Sequence, residues 1–547
     1  ANEIHIFYLD AFKIAREEAG DAELQYRMQG IAFQGAFFAV SHVRDAANLS
    51  EEALFAKIEA ELQSKFGSKG ARVVEDNLRV VKRGYEATHE ITEFSLMGEE
   101  EGAVDLPSKL KLIPVSQSSS TDIHRFWEQT GYFYKSGKGN DIIADPFASL
   151  SLIPAATGVF KDMTFVRFDY PEFIPENCTG CGDCWVICPD SSLPGLVNEV
   201  SEVFETVIKK LEKGGHQIKH LRRSVRSLES KLRALIERDG EASVIWTQLE
   251  YAIDETLVFF NGTDEEKREL VQEYILFKEV LQDFQFSVTR PFYTQKEKEN
   301  KGSGGLLSIT LNPLTCKGCM ECVAVCGDDA LRTVPQTEAA IATMNKNWDF
   351  WNELPNTNEK YIRIDDLDEG IGALETLLLD KNHYEAMVGG DGACLGCGEK
   401  TVMHLFTSTV AALMQPRVKT LLKKIDDLIE GLEQKVRQTL SVDVANTEQL
   451  RDALQSLDDR EFDLSDLNKE IDKDSTPVDA HWLKGVTGLI KELKDLRWKY
   501  TDGITGSGRS NMGIVNATGC TSVWGSTYPI NPYPFPWANH LFQDSPS

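Results

Sequence analysis

The sequence predicts a multidomain α/β chain interrupted by a small α+β domain built around cysteines and by two long α-helical hairpins. Three observations predict it. The length, 547 residues, suffices for three or four domains of ordinary size. One cysteine spacing occurs twice, far apart. Two long charged stretches with apolar residues at helical spacing fall inside the cysteine-bearing regions rather than beside them. Apolar residues make up 41% and aromatics 9%, ample for packed cores and against wholesale disorder. Lys and Arg total 58 against 86 Asp and Glu, a formal net charge of −28. A phosphate backbone or an anionic membrane wants a basic footprint, so neither nucleic-acid nor membrane binding is expected. No apolar stretch reaches the roughly 18–20 residues of a spanning helix, and the first residues carry no secretory pattern. A soluble, cytoplasmic protein is the expectation.

Residues 1–105 read as mixed helix and strand. Glu51–Phe66 is amphipathic through Leu54, Ile58 and Leu62, with Ser50 placed as its N-cap. Residues 106–155 are richer in Ser, Pro and Gly and read as a connecting segment. The cysteine domain spans 156–335, with a helical insertion at about 197–300. There Leu221, Val225, Leu228, Leu232 and Leu235 form a heptad-like seam, followed by a second helical stretch and a polar linker at 294–305. Residues 336–388 form a linker to a last region, 389–547, whose own insertion covers about 415–508. Leu421, Ile425, Leu428, Leu432 and Val436 trace one seam there; Leu483, Val486, Ile490 and Leu493 trace another, with the acidic stretch 458–474 between them. Each insertion fits an antiparallel hairpin, either a self-packed decoration or a docking arm, and seams alone do not separate the two. A hairpin that returns near its origin costs little closure entropy.

The eleven cysteines fall into two runs of four and a set of three. Cys178, Cys181, Cys184 and Cys188 form C-x2-C-x2-C-x3-C, and Cys316, Cys319, Cys322 and Cys326 repeat it. This doubled run is the spacing of bacterial two-cluster ferredoxins, in which three thiolates wrap one [4Fe–4S] cube and the fourth reaches the other. On that logic one cluster takes Cys178, Cys181, Cys184 and Cys326, the other Cys316, Cys319, Cys322 and Cys188. Zinc modules instead tend to bring ligands as separated pairs. Gly180, Gly182 and Gly318 leave backbone N–H groups free to approach cluster sulfurs. Cys394, Cys397 and Cys520 are three ligands of a third site, one short of a cluster; a redox disulfide or a zinc pair also fits that spacing.

Gly392-Ala-Cys-Leu-Gly-Cys-Gly-Glu399, Ile514-Val-Asn-Ala-Thr-Gly-Cys-Thr-Ser522 and Pro536-Trp-Ala-Asn-His-Leu-Phe542 resemble the pyruvate:ferredoxin (flavodoxin) oxidoreductase family, at the opening of its thiamine-diphosphate domain. Pro175-Glu-Asn-Cys-Thr-Gly-Cys181 resembles the start of that family's two-cluster ferredoxin domain. Gly35-Ala-Phe-Phe38 and Val73-Val-Glu-Asp-Asn-Leu-Arg-Val80 resemble the end of its gamma-type, CoA-binding domain. The order matches along nearly the whole chain apart from the two insertions. Gly390-Asp-Gly392 mimics the start of a thiamine signature, but the asparagine that should follow about 25–30 residues later is missing.

The resemblance implies that Cys394, Cys397 and Cys520 hold a proximal [4Fe–4S] cluster, with the fourth ligand outside this chain. It implies that Glu399 and Cys520 lie beside thiamine diphosphate, with the Mg2+ ligands mostly elsewhere, and that Asn77 contacts CoA. Thr518 and Gly519 would give the turn before Cys520, and Lys82 and Arg83 are candidates for CoA phosphates or plain solvated charges. The implied activity is oxidative decarboxylation of a 2-oxoacid, pyruvate first, with CoA to acyl-CoA and CO2. Electrons would pass through three clusters to ferredoxin or flavodoxin. The chain is then one piece or subunit of a larger, homodimeric enzyme. The alternatives are an enzyme for another 2-oxoacid and a non-catalytic two-cluster electron carrier.

Overall fold

The computed structural model describes residues 5–18, 28–92, 106–107, 110, 122–150, 152–281, 284–363, 370–390, 395–443, 480–503, 508, 512–516, 519–521 and 528–539. The architecture is mixed α/β, rich in helix, with small sheets. No helix among the described residues is long and apolar enough to cross a membrane. The chain divides into two compact units, Ala1–Ala103 and Val104–Ser547.

In the first unit, β1 (Phe7–Tyr8) pairs antiparallel with β2 (His89–Glu90) beside the helices Ala11–Glu18, Gln29–Val40, Glu51–Phe66 and Ala71–Glu86. Ser50 caps the third helix as its sequence predicts, its Oγ accepting the Ala53 N–H at 3.2 Å. Leu54, Ile58 and Leu62 bury that helix against Val74 and Val81. Gln29–Val40 and Ala71–Glu86 cross at two glycines. A Cβ on Gly35 would stand 2.0 Å from the Val81 carbonyl oxygen, and one on Gly84 2.1 Å from that of Ala32. The two backbones meet at a distance that no side chain permits.

The strands of the second unit are β3 (Leu152–Ile153), β4 (Asp169–Phe173), β5 (Gly195–Glu199), β6 (Gly305–Ile309), β7 (Leu331–Pro335), β8 (Ile514–Asn516) and β9 (Trp537–Asn539). β4 pairs antiparallel with β7, Asp169 opposite Pro335; β5 pairs antiparallel with β6, Gly195 opposite Ile309. Each cysteine run is thus preceded by a strand of one ribbon and followed by a strand of the other. β9 lies between β3, antiparallel, and β8, parallel.

Between the cysteine runs the sequence suggests one hairpin; among the described residues four long helices form instead, Val200–Lys213, His220–Asp239, Ile245–Val258 and Asp264–Leu281, with the short helix Gln295–Glu299 after them. Gly215 and Gly240 take positive φ, +86° and +61°, and end helices that a hairpin would have continued. Leu221, Leu228 and Leu232 of the predicted seam are buried with Phe204, Leu249 and Phe277, so the seam faces several neighbours rather than one. The buried Glu273 carboxylate supplies the missing cap of His220–Asp239, accepting the N–H groups of Lys219 at 2.9 Å, His220 at 3.3 Å and Leu221 at 2.5 Å. The β5–β6 ribbon has no solvent face. Leu196 and Leu306 join the helical core, while Val197, Leu307 and Ile309 join the core around the cysteines, as strand alternation requires.

In the last region, Gly398–Asp443 is one helix that runs through Pro416. The segment expected to start near 415 therefore grows out of the helix that follows Cys397. Ala480–Thr501 lies antiparallel on it: Arg497 bonds Asp426 at 2.6 Å, Lys494 meets Glu433 at 3.0 Å, and Leu483 packs on Val436. The acidic stretch 458–474 lies outside the described residues.

Candidate metal centre

The two cysteine runs fold alike. Gly180 and Gly318, each two residues past a first cysteine, have φ of +87° and +70°. Gly182 (+92°) and Met320 (+62°) then start the one-turn helices Asp183–Ile187 and Glu321–Val325. Met320 holds without glycine's freedom the left-handed turn that Gly182 adopts easily. These turns aim backbone N–H groups at sulfur: Gly180 at Cys178, Asp183 at Cys181, Gly318 at Cys316 and Glu321 at Cys319. The last cysteine of each run is served four residues on. The Ser192 N–H reaches Cys188 Sγ at 3.2 Å and the Ala330 N–H reaches Cys326 Sγ at 3.3 Å.

Most of the thiols take their sulfur neighbours from one set, and Cys184 and Cys322 meet between the sets. Burial pushes Cys178 up to about 12, and the charges of Cys181 and Cys326 add to it. Cys184 is raised by burial and by Cys178, Cys322, Cys181 and Cys326. Burial likewise pushes Cys319 up to about 12, here with Cys188 and Cys316 as its sulfur neighbours; Cys322 rises through burial and then Cys188, Cys316 and Cys319. Cys188, Cys316, Cys319 and Cys322 also line one cavity together with Asp190 and Lys317. Thiols crowded like this resist ionisation unless a cationic group holds them, and a coordinating thiol is deprotonated outright. Among the described residues no three Cys, His, Asp or Glu side chains converge as they would around one ion. Four thiols drawn from both runs around one cavity are the donor set that a cube of four irons takes, one thiolate at each corner. The donor set fits that group.

Beside the second set lies a buried ion cluster. Lys317 Nζ stands 3.0 Å from Asp190 Oδ1 and donates to the Gly390 carbonyl at 2.8 Å. Lys400 Nζ bonds the same Asp190 oxygen. Lys317, Lys400 and Asp190 are all 4% exposed or less. Burial, then the charges of Lys317 and Lys400, lower Lys161 to about 8. Arg167 is buried too. Its Nη1 donates to the carbonyls of Pro313 and, at 3.0 Å, Cys316, while its Nε and Nη2 have no hydrogen-bond partner among the described residues. Burial lowers Lys317, and the Asp190 charge works against that; with both lysines protonated, one aspartate between them leaves net positive charge in a dry place, which is costly unless an anion lies nearby.

Residues 1–87 match the pyruvate ferredoxin/flavodoxin oxidoreductase family. A putative pyruvate-flavodoxin oxidoreductase of Synechocystis sp. is 20% identical over 399 residues, 72% of this chain and 24% of the relative. The pyruvate-flavodoxin oxidoreductase of Klebsiella pneumoniae is 25% identical over 200 residues, 36% of this chain and 15% of the relative. The pyruvate:ferredoxin oxidoreductase of Moorella thermoacetica is 22% identical over 190 residues, 35% of this chain and 14% of the relative. The chain is related to the pyruvate:ferredoxin (flavodoxin) oxidoreductases. It spans about a quarter or less of the length of these relatives.

Of the third cysteine set, Cys394 lies outside the described residues, as do Asp391, Gly392 and Thr518. Cys397 is half-buried, one residue before the helix Gly398–Asp443, among partly buried apolar residues that include Met403, Met512 and Ile514. Cys520 is exposed, just beyond β8 and after Gly519, whose φ is +127°. Glu399 is exposed in the first turn of that helix. In the first unit, Asn77 is buried, and its Nδ2 donates to the Val73 carbonyl at 2.7 Å. Arg83 is engaged by Glu17 and Glu18 at 2.8 and 2.6 Å, and Lys82 stands over the Phe55 ring.

No motif of the sequence singles out Asp190, Lys317, Lys400 or Arg167. A signal existed for two of them. Aligning the runs sets Lys317 against Thr179 and Asp190 against Asp328. For Lys400 and Arg167 no local pattern marks the residue.

Proposed function

We propose that this chain is the electron-relaying central portion of a 2-oxoacid:ferredoxin oxidoreductase, pyruvate being the first candidate substrate. The observation that carries the reading is the cavity that Cys188 of the first run shares with Cys316, Cys319 and Cys322 of the second. Cys178, Cys181, Cys184 and Cys326 would hold one [4Fe–4S] cluster of a two-cluster ferredoxin-like domain, and Cys316, Cys319, Cys322 and Cys188 the other. Cys394, Cys397 and Cys520 would hold a third, completed from outside the chain. Such clusters, when bound, supply one-electron storage at low potential. The rest of the enzyme would bring thiamine diphosphate with Mg2+, the oxoacid site and the second protomer; CoA would take the acyl group, and ferredoxin or flavodoxin the electrons.

The work of this chain is to position and insulate. The β4–β7 and β5–β6 ribbons tie the two runs together at their ends, and the backbone N–H groups at the sulfurs stabilise thiolate charge. Thr401 and Lys400, in the first turn after Cys397, bond the Ile187 carbonyl and Asp190. That supports an order in which the third site neighbours the Cys188 set, with the Cys178 set beyond it. Cys178 and Cys181 are half-buried, which suits an exit toward a soluble carrier.

The test combines iron and sulfide analysis of the anaerobically purified enzyme with CoA-dependent viologen reduction over a panel of 2-oxoacids. Three clusters per chain with pyruvate activity support the reading. Activity with another oxoacid moves the substrate. Two clusters without thiamine diphosphate or oxoacid activity leave the electron carrier in its place.

A further inference from the structure

The two halves of the cysteine domain share a backbone plan but not a charge plan. Thr179 and Lys317 hold the same place, just after the first cysteine of each run. Each contacts the aspartate two residues past the last cysteine of the other run: Thr179 Oγ1 donates to Asp328 Oδ2 at 2.9 Å, and Lys317 Nζ meets Asp190 Oδ1 at 3.0 Å. On the first side the contact is a neutral hydroxyl near the surface, and the carboxylates of Asp183 and Asp328 act on Cys181. On the second side the contact is a buried lysine, joined by Lys400 and flanked by Arg167, whose Nη1 bonds the Cys316 carbonyl; the Asp190 carboxylate acts on Cys188, Cys316 and Cys319, opposed by Lys400 at Cys188 and by Arg167 at Cys316. Buried charges interact far more strongly than solvated ones, so this difference reaches the site it surrounds.

We propose that the buried Lys317–Asp190–Lys400 ion set raises the reduction potential of the Cys188, Cys316, Cys319 and Cys322 site above that of its pseudo-symmetric counterpart. An electron arriving from the Cys397 side then rests there before leaving. The step is one electron with no bond made or broken and no proton required: the site gains one negative charge, and its donor, the dithionite radical anion in a titration, is oxidised to sulfur dioxide. The ammonium groups stabilise the added charge where they stand. This inference rests on the cluster-binding reading above.

The test is an anaerobic potentiometric titration of the purified holoenzyme, followed by EPR of the reduced clusters, with iron counted per chain. Lys400→Met should lower the reduction equilibrium of one ferredoxin-type signal at least tenfold, about 59 mV for one electron, and leave the other nearly unmoved. Asp190→Asn should shift the same signal in the opposite direction. Thr179→Lys, which places an ammonium at the equivalent half-buried position, should raise the other signal; it decides the matter if Lys400→Met loses iron. Signals that stay put, or that move together, with full iron content overturn the inference. A wild-type enzyme without the two signals overturns the cluster reading itself.

Discussion

Thr401 donates its hydroxyl to the Ile187 carbonyl at 3.0 Å, which ties the first turn of the helix Gly398–Asp443 to the residue before Cys188. The bond joins the segment after Cys397 to the chain that carries a thiol of the second set. Thr401→Val keeps the shape and leaves that carbonyl without its hydroxyl donor, a loss of about 1–2 kcal/mol. Rapid mixing with oxoacid and CoA should then show a slower rise of the reduced-cluster signal, with potentials and iron content unchanged. An unaltered rise would place the electron path elsewhere.

The cross-run sorting of thiols makes an asymmetric prediction. Cys326→Ser should remove the cluster that its neighbours Cys178, Cys181 and Cys184 share, although Cys326 lies in the second run. Cys188→Ser should remove the other, shared with Cys316, Cys319 and Cys322. EPR of the two variants should therefore lose different signals. Loss of the same-run partner's signal in each case would show that each run binds its own cluster.

The helix crossing of the first unit depends on two hydrogens. Gly35→Ala sets a methyl group 2.0 Å from the Val81 carbonyl oxygen, and backbone cannot swing aside as a side chain does. Overpacking of this kind costs about 1–3 kcal/mol. Calorimetry of the full chain should show one transition lowered by several degrees and the others unmoved. Gly30→Ala, on the same helix with open space around its Cβ position, is the control and should leave that transition in place.

Much of the plan was legible because local chemistry carries it. The doubled spacing marks two equivalent turns, and Ser50 followed by Leu54, Ile58 and Leu62 marks a capped helix with one buried face. What the sequence did not yield depends on distant partners. The seam from Leu221 to Leu235 shows a sticky face but not that it meets three other helices, and the glycines that create those helices read only as turns. Lys400 and Asp190 lie 210 residues apart. No periodicity predicts that an exposed-looking helix turn will bury its lysine against a carboxylate. The third cysteine set is marked by motifs alone, and Cys394 lies outside the described residues.

His404 is fully buried in the helix Gly398–Asp443, with Nε2 2.8 Å from the Tyr384 carbonyl and the ring edge-on to Tyr384. The carbonyl can only accept, so Nε2 carries the proton; Nδ1 is buried without a hydrogen-bond partner among the described residues. Protonation would place a second N–H and a charge there, and burial accordingly holds His404 down at about 4, against an ordinary value near 6.5. Between these values the unfolded chain binds the proton and the folded chain does not. Stability from this site is thus complete above about pH 6.5 and is lost progressively as the pH falls toward 4, about 3 kcal/mol in all. Denaturant unfolding at pH 7.5 and pH 5 should show that decline in the wild type and a smaller one in His404→Gln, whose amide can still donate to the Tyr384 carbonyl. Equal declines in both proteins would mean that other groups govern the acid limb.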